Sequence, residues 1–227
     1  MTVKLSQNAL KILEDRNVVR DKDRNIIETP EDMIERVVST VSKNEPEKKE
    51  EFREILSTFK FLPNSPTLMN AGNNLGMLSA CFVLPVEDSM HGIFKAVHDQ
   101  AVVQKTGGGT GFSFDRLSEK GAFLTTSQGE ASGPVSFMQV FNTASQTVEQ
   151  GGKRRAANMG ILGCDHPDII EFIEVKNKKE CSICGEVVLR NVFKCPKYGN
   201  KLPEDNTLNY FNLSVGVNDK FVNYAID

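Results

Sequence analysis

No apolar run among the 227 residues is long enough to cross a bilayer, because a spanning helix needs about 20 such residues in a row. The opening MTVKLSQNAL also lacks the apolar centre of a secretory signal. We therefore expect a soluble, cytoplasmic chain with no membrane partner. An excess of one charge is missing too: 27 Lys and Arg against 30 Asp and Glu leave a net charge of −3, which gives no global basic field for nucleic acid or anionic lipid. Histidine is scarce, and His91, His98 and His166 match no zinc-hydrolase spacing. The five cysteines are an odd number and do not suggest a disulfide scaffold. In a reducing compartment they read as metal ligands, redox thiols or core residues. The remaining composition, 39% apolar and 25% charged, is that of a globular chain of one or two domains.

Residues 1–60 read as helical. Ser6 can cap a short helix with Ala9, Leu10, Ile12 and Leu13 on its apolar face. A polar turn, Asp21 to Asn25, separates Val18-Val19 from Ile26-Ile27. Thr29-Pro30-Glu31-Asp32 is a helix start, with threonine as cap, proline in the first turn and two acids near the helix's positive end. Met33, Ile34, Val37, Val38 and Val41 then recur at helical spacing, and a third helix carries Phe52, Ile55, Leu56 and Phe59. We expect this region to serve packing and dimerisation and to carry no chemistry.

The texture changes at Phe61. Between Pro63 and Thr67 two prolines push their predecessors towards extended backbone, so no helix is expected there. Leu78 to Leu84 reads as a buried strand containing Cys81. Asp88-Ser89 caps a helix bearing Ile93, Phe94, Val97 and Ala101. Phe112 to Leu117, Met159 to Leu162 and Phe211 to Val217 read as strands, and Pro134 to Val148 as a helix. Asp165-His166-Pro167-Asp168 starts another helix, and Asp219 caps a last one, with Phe221, Val222, Ala225 and Ile226 on one face. Helices alternating with strands predict an α/β fold with a largely parallel sheet. An amphipathic helix so close to Asp227 leads us to expect part of a larger or split protein.

Thr106-Gly107-Gly108-Gly109-Thr110-Gly111 is the densest glycine stretch. Such residues suit backbone that must take positive φ or approach something closely. Neither common phosphate loop fits: Lys105 precedes the glycines instead of following them, and Phe112 stands where a dinucleotide fingerprint needs glycine. A turn between elements and a close approach to a ligand both remain open. The stretch Gly151-Gly-Lys153-Arg154-Arg155-Ala-Ala-Asn158 joins backbone freedom to three cations. It suits a solvated turn or an anionic ligand held by guanidinium groups, which in an α/β unit binds beyond the carboxyl ends of strands. Cys81 is a small core residue or a redox thiol, and Cys164 is equally open. Cys181-x-x-Cys184 and Cys195-Pro-Lys-Tyr198 resemble two zinc knuckles with a tyrosine in the fourth place. They fit a zinc site completed by another residue or water, or a loop that has lost its metal. Residues 178–206 interrupt a helix-to-strand step and read as an insertion.

Seven ordered segments are specific together: Leu62–Gly72 (LPNSPTLMNAG), Ser79–Phe82 (SACF) with Asp88-Ser89, Thr106–Gly111, Ala131–Met138 (ASGPVSFM), Gly151–Met159 (GGKRRAANM), Asp165–Asp168 (DHPD) and Phe211–Val215 (FNLSV). In them the chain resembles the large catalytic chain of ribonucleotide reductases, above all the adenosylcobalamin-dependent class. The resemblance implies a helical region over 1–60, and over 61–227 the first half of a ten-stranded α/β barrel made of two five-stranded half-sheets. Ser65, Ala80, Cys81, Gly109 and Arg154 match substrate-binding positions. Cys81 matches one of two cysteines that form a disulfide as the ribose is reduced, which makes it the catalytic candidate. Asp88, Ser89, Arg116 and Lys153 match the effector-nucleotide region.

The implied function is thiyl-radical reduction of ribonucleotides to deoxyribonucleotides for DNA synthesis, under dNTP or ATP control. Adenosylcobalamin is the implied cofactor of the complete enzyme; zinc on Cys181, Cys184 and Cys195 is read from the knuckle spacing instead of the resemblance. The implied partners are the C-terminal half of the reductase, a thioredoxin-like or dithiol reductant, and a second copy in a homodimer. The radical cysteine, its acid and the partner of Cys81 belong to the second half-barrel, so the isolated chain is expected to be inactive. Ser118 stands where an arginine is expected, and the cysteine-bearing insertion lies outside the family pattern. The competing readings are a non-catalytic nucleotide-binding fragment or split-gene remnant, and a zinc-ribbon nucleic-acid binder.

Overall fold

The computed structural model describes residues 3–125, 128–148, 156–189, 192, 194–202 and 208–226. The chain divides into two compact units, 1–82 with 102–109 and 149–156, and 83–101 with 110–148 and 157–227.

In the first unit, α1 (Gln7–Arg16) is capped by Ser6, whose hydroxyl accepts the Ala9 N–H. Helix α2 (Pro30–Val41) begins with a complete capping box, Thr29 and Asp32 each accepting the other's backbone N–H. Two orphan donors of the first turn are thereby satisfied. Helix α3 is Lys49–Ser57. Met33, Ile34, Val37 and Val38 of α2 pack with Leu56, Leu68 and Ala71 in one apolar core.

The expectation of extended backbone between Pro63 and Thr67 was wrong, because Ser65–Asn70 forms a helix, α4. Asn64 caps it by accepting the Thr67 N–H at 2.8 Å. Pro66 falls in the first turn, where N–H groups have no partner within the helix and a missing donor costs nothing. Arg36 fixes the far end. Its guanidinium donates to the Leu68 and Ala71 carbonyls at 3.0 and 2.6 Å while forming a bidentate pair with Glu28.

The remaining elements are β1 (Cys81–Val83), α5 (Met90–Lys105), β2 (Gly109–Ser113), the hairpin β3 (Phe123–Leu124) and β4 (Gly129–Glu130), α6 (Pro134–Thr147), β5 (Asn158–Gly163), α7 (Ile169–Glu174), the hairpin β6 (Lys178–Glu180) and β7 (Val187–Leu189), β8 (Phe211–Gly216) and α8 (Asp219–Ile226). A four-stranded sheet has the order β1-β2-β5-β8. β2 pairs with β5 and β5 with β8 in parallel, Thr110 opposite Asn158 and Asn158 opposite Phe211. The α/β expectation holds. Phe112, Phe114, Phe141, Phe172, Phe211, Met138 and Leu162 fill the core of the second unit. Gly160 permits this packing, because a Cβ there would lie 2.8 Å from Met138 Cε and 3.2 Å from the Phe211 ring. The last helix is capped by Asn218, whose side chain accepts the Phe221 N–H at 2.9 Å. Asp219, the expected cap, instead lies inside its first turn.

Candidate functional site

The glycine stretch is two structures in one. Thr106 and Gly107 close α5: the Gly107 N–H donates to the Gln104 carbonyl, and its φ of +87° favours glycine. At Gly108 a Cβ would sit 2.8 Å from Val103 Cγ1 and 3.1 Å from the Phe82 ring. Gly109 to Gly111 already belong to β2, which therefore starts three residues earlier than Phe112 and ends at Ser113. Gly107 and Gly108 thus answer to the protein's own packing, while Gly109 and Gly111 are half-buried.

One side chain, Asn70, and one backbone bond tie this stretch to the residues around α4 and β1 in the first unit, and two further side chains hold the segment between them. Asn70 Nδ2 donates to the Thr106 carbonyl at 2.8 Å and to that of Met77 at 3.1 Å. Thr67 Oγ1 and Asn64 Nδ2 donate to the Leu78 carbonyl at 2.7 and 3.1 Å. The Gly109 N–H donates to the Ala80 carbonyl at 2.7 Å. Ser65, exposed at the start of α4, therefore shares one hydrogen-bonded framework with Ala80, Cys81 and Gly109. Sequence reasoning placed Asn64, Thr67 and Asn70 in a matching segment without seeing that they build it. The signal was an asparagine three residues before a threonine, a capping pattern at an unrecognised helix.

Cys81 corrects an expectation. It is exposed, on a short strand at the edge of the sheet whose outward side chains, Cys81 and Val83, are uncovered. The buried strand expected from Leu78 to Leu84 is only Cys81–Val83, because Ser79 and Ala80 contribute a connecting turn. An exposed thiol is accessible to a reaction partner in a way that a core cysteine is not.

In the second unit, a buried polar chain sets where β2 and β5 begin. Thr110 Oγ1 donates to Asn158 Oδ1 at 2.7 Å, Asn158 Nδ2 to Ser145 Oγ at 2.7 Å, and Gln100 Nε2 to the same hydroxyl at 2.7 Å. Lys153 and Arg154, with Gly151, Gly152 and Arg155, lie outside the described residues. Residues 156–158 lead directly into β5, and Thr110 stands opposite Asn158 in the parallel register.

The candidate effector residues lie elsewhere in the second unit. Ser89 Oγ accepts the Gly92 N–H at 3.0 Å, starting α5, and the Asp88 carboxylate accepts the Ser118 hydroxyl. Ser118, which replaces the expected arginine, thus orients the acid beside it. Arg116 is exposed in the turn after β2. That turn is pinned from beneath: the Leu117 carbonyl faces His166 Nε2 at 3.1 Å, and His166 Nδ1 accepts the Asp168 N–H at 3.1 Å. Together these contacts require the Nε2–H tautomer. Asp115 accepts the Ser113 hydroxyl and the Gly163 N–H, joining the carboxyl ends of β2 and β5. Asp115, His166 and Asp168 are positioning residues that the sequence reading did not assign.

Cys181, Cys184 and Cys195 converge, with their sulfurs within 4.8 Å of one another. Burial pushes the Cys181 thiol up, but N–H groups of Cys184 and Ile183 and the two neighbouring thiols outweigh it and hold it below the ordinary thiol range.

A helical region and a parallel sheet with its helices define an α/β architecture. Comparison with known proteins makes this specific. Residues 3–76 match the all-alpha domain of ribonucleotide reductase and residues 79–226 its barrel domain, so the chain belongs to the ribonucleotide reductase family. It is 37% identical to the vitamin B12-dependent ribonucleoside-diphosphate reductase of Thermoplasma acidophilum, over 96% of this chain and 34% of that protein. It is 36% identical to the protein of the same name from Mycobacterium tuberculosis, over 97% of this chain and 29% of that one. The ribonucleoside-diphosphate reductase subunit alpha of Helicobacter pylori is 31% identical over 74% of this chain and 22% of its own length. The chain thus spans about a third of the length of these two B12-dependent relatives. Among the described residues no helix is long and apolar enough to cross a membrane.

Proposed function

We propose that this chain supplies the substrate and effector loops and one redox cysteine of a vitamin B12-dependent ribonucleotide reductase acting in the cytoplasm. One observation carries the reading: an exposed thiol, Cys81, follows directly on the carbonyl that holds Gly109 at the start of β2. In this proposal Ser65, Ala80 and Gly109 seat the nucleotide, and Arg154 and Lys153 answer its phosphates and those of the effector. Asp88, Ser89 and Arg116 form the effector side. Reduction replaces the ribose 2′-hydroxyl by hydrogen: the hydroxyl leaves as water, and Cys81 and a second thiol give up two electrons and two protons and become a disulfide. That second thiol and the radical cysteine belong to the remainder of the reductase, and a thioredoxin-like protein or a dithiol restores the pair. Adenosylcobalamin, which would initiate the radical, is assigned to the complete enzyme and to no residue described above. A zinc ion is assigned to Cys181, Cys184 and Cys195, and a homodimer is the proposed assembly.

The test is deoxynucleotide formation with adenosylcobalamin and a dithiol, with this chain joined to the remainder of the enzyme. Cys81→Ser is expected to lower steady turnover at least about 1,000-fold, or about 4 kcal/mol, and to leave effector binding by calorimetry unchanged. Undiminished multiple turnover in that variant would remove Cys81 from the chemistry.

A further inference from the structure

The segment between α7 and β8 repeats one backbone device. In Cys181-Ser-Ile-Cys184-Gly185, the Cys181 N–H donates to the Glu186 carbonyl at 2.8 Å and the Gly185 N–H returns to the Cys181 carbonyl at 2.8 Å. Gly185 closes the turn at φ +76°. In Cys195-Pro-Lys-Tyr198-Gly199, the Cys195 N–H donates to the Asn200 carbonyl and the Gly199 N–H to the Cys195 carbonyl, both at 2.8 Å, with Gly199 at φ +72°. The offsets and distances are the same. Each turn also sits on an antiparallel pairing, β6 with β7 for the first and Lys194 with Lys201 for the second. Tyr198 N–H approaches Cys195 Sγ at 3.3 Å, a hydrogen bond that favours a thiolate. In this repeat Tyr198 takes the place that Cys184 holds in the first turn.

Apolar burial does not account for the segment. Its buried residues, among those described, are Cys181, Cys195 and Leu202, with Cys184 packed against them. Burying a leucine contributes about 1.5–3 kcal/mol, whereas fixing the backbone costs about 1–2 kcal/mol for every residue. A segment of this kind needs a covalent or metal staple. Its three cysteines are free thiols, and three converging sulfurs on two glycine-closed turns are a soft donor set suited to zinc.

We infer that the zinc ion held by Cys181, Cys184 and Cys195 keeps one exchangeable coordination position, on the Tyr198 side, open to water and to small thiols or imidazoles. Among the described residues three protein ligands converge; structural zinc sites are closed by four, while a site with three takes its fourth from outside. Tyr198 stands where the closing ligand belongs, but the residue is 58% exposed and its ring lies under Lys197, whose Nζ is 5.5 Å from the ring centroid. The inference rests on the zinc assignment made above and is independent of the reductase reading.

The test uses the whole chain purified under reducing conditions. Metal analysis should give stoichiometric zinc, and replacing any of the three cysteines by serine should weaken zinc binding by at least about tenfold. With cobalt(II) in place of zinc, imidazole or a small thiol should shift the visible ligand-field bands of the parent. Y198C should abolish that shift and tighten zinc by about tenfold or more; because it removes no ligand, it decides the matter even if the serine variants unfold. Zinc-free protein, or a disulfide among the three cysteines, would overturn the metal site itself. A cobalt spectrum indifferent to both added ligands would overturn only the exchangeable position. Neither readout uses nucleotide reduction, so a failure here is separable from a failure of the reductase proposal.

Discussion

In the sheet unit Phe112, Phe114, Phe141 and Phe211 meet ring against ring at centroid distances of 4.8 to 6.2 Å, tilted or edge to face. The helical unit has an aliphatic core, and its α4 is fixed in addition by a cation, Arg36, held by Glu28 and by the carbonyls that end α4. Aromatic burial is strong but loosely directional, with about 0.5–1.5 kcal/mol per ring pair beyond area. A guanidinium fork fixes angles as well as distances. The difference follows what each unit must position. The sheet unit orders parallel strands of five and six residues, whereas in the helical unit the clamp fixes the end of α4, the helix that Ser65 begins.

The largest test of this contrast is Phe114→Ala. Phe114 is fully buried and touches three other aromatic rings, so truncation should cost about 3–5 kcal/mol in urea unfolding. Arg36→Met comes next, at about 3 kcal/mol, because it strands the Glu28 carboxylate, only 8% exposed, and uncovers the Leu68 and Ala71 carbonyls. The two sites should then part company. Adding Glu28→Gln should recover most of the Arg36→Met loss, since removing both charges ends the desolvation penalty, and no comparable second substitution refills the space left by Phe114. If Glu28→Gln recovers nothing, the clamp works through its carbonyl bonds instead of its charge pair.

How far the sequence could be read follows the same division. Elements built by periodic apolar faces and end signals, such as α2 with its Thr29 box or β5 and β8, were legible from residue types alone. So was the family, because seven ordered segments match together. What was not legible depended on partners distant in sequence. Two prolines hid α4, whose stability comes from Asn64 at one end and Arg36 at the other, the latter 32 and 35 positions away from the carbonyls it holds. The glycine stretch left a turn and a ligand approach both open, and only the structure puts Phe82 and Val103 where a Gly108 Cβ would lie. Cys81 read as buried because apolar neighbours in sequence say nothing about whether a strand lies at an edge. The two equivalent turns around Cys181 and Cys195 were visible as spacing, but their shared hydrogen bonds were not.

The smallest expected effect sharpens the polar side of the comparison. Glu35 of α2 accepts a bidentate pair from Arg53 of α3, at 2.8 and 3.0 Å, and a third contact from Lys49 at 2.9 Å. The Arg53 guanidinium first, and then Lys49, hold its carboxyl at about 2, well below the usual value for glutamate, about 4.3. A folded-state pKa below the unfolded one means stability that is fully present above about pH 4.3 and is lost as the pH falls towards 2. The side chain is 45% exposed, and solvent screening brings the contribution below about 1 kcal/mol. Glu35→Gln should therefore destabilise the chain slightly at pH 7. The gap between parent and variant should narrow from pH 4 downward, and salt should reduce it at neutral pH. A gap that stays constant with pH would mean that the carboxylate charge contributes nothing and that Arg53 packs equally well on an amide. In that case only a buried clamp such as Arg36 with Glu28 would distinguish the helical unit from its aromatic counterpart.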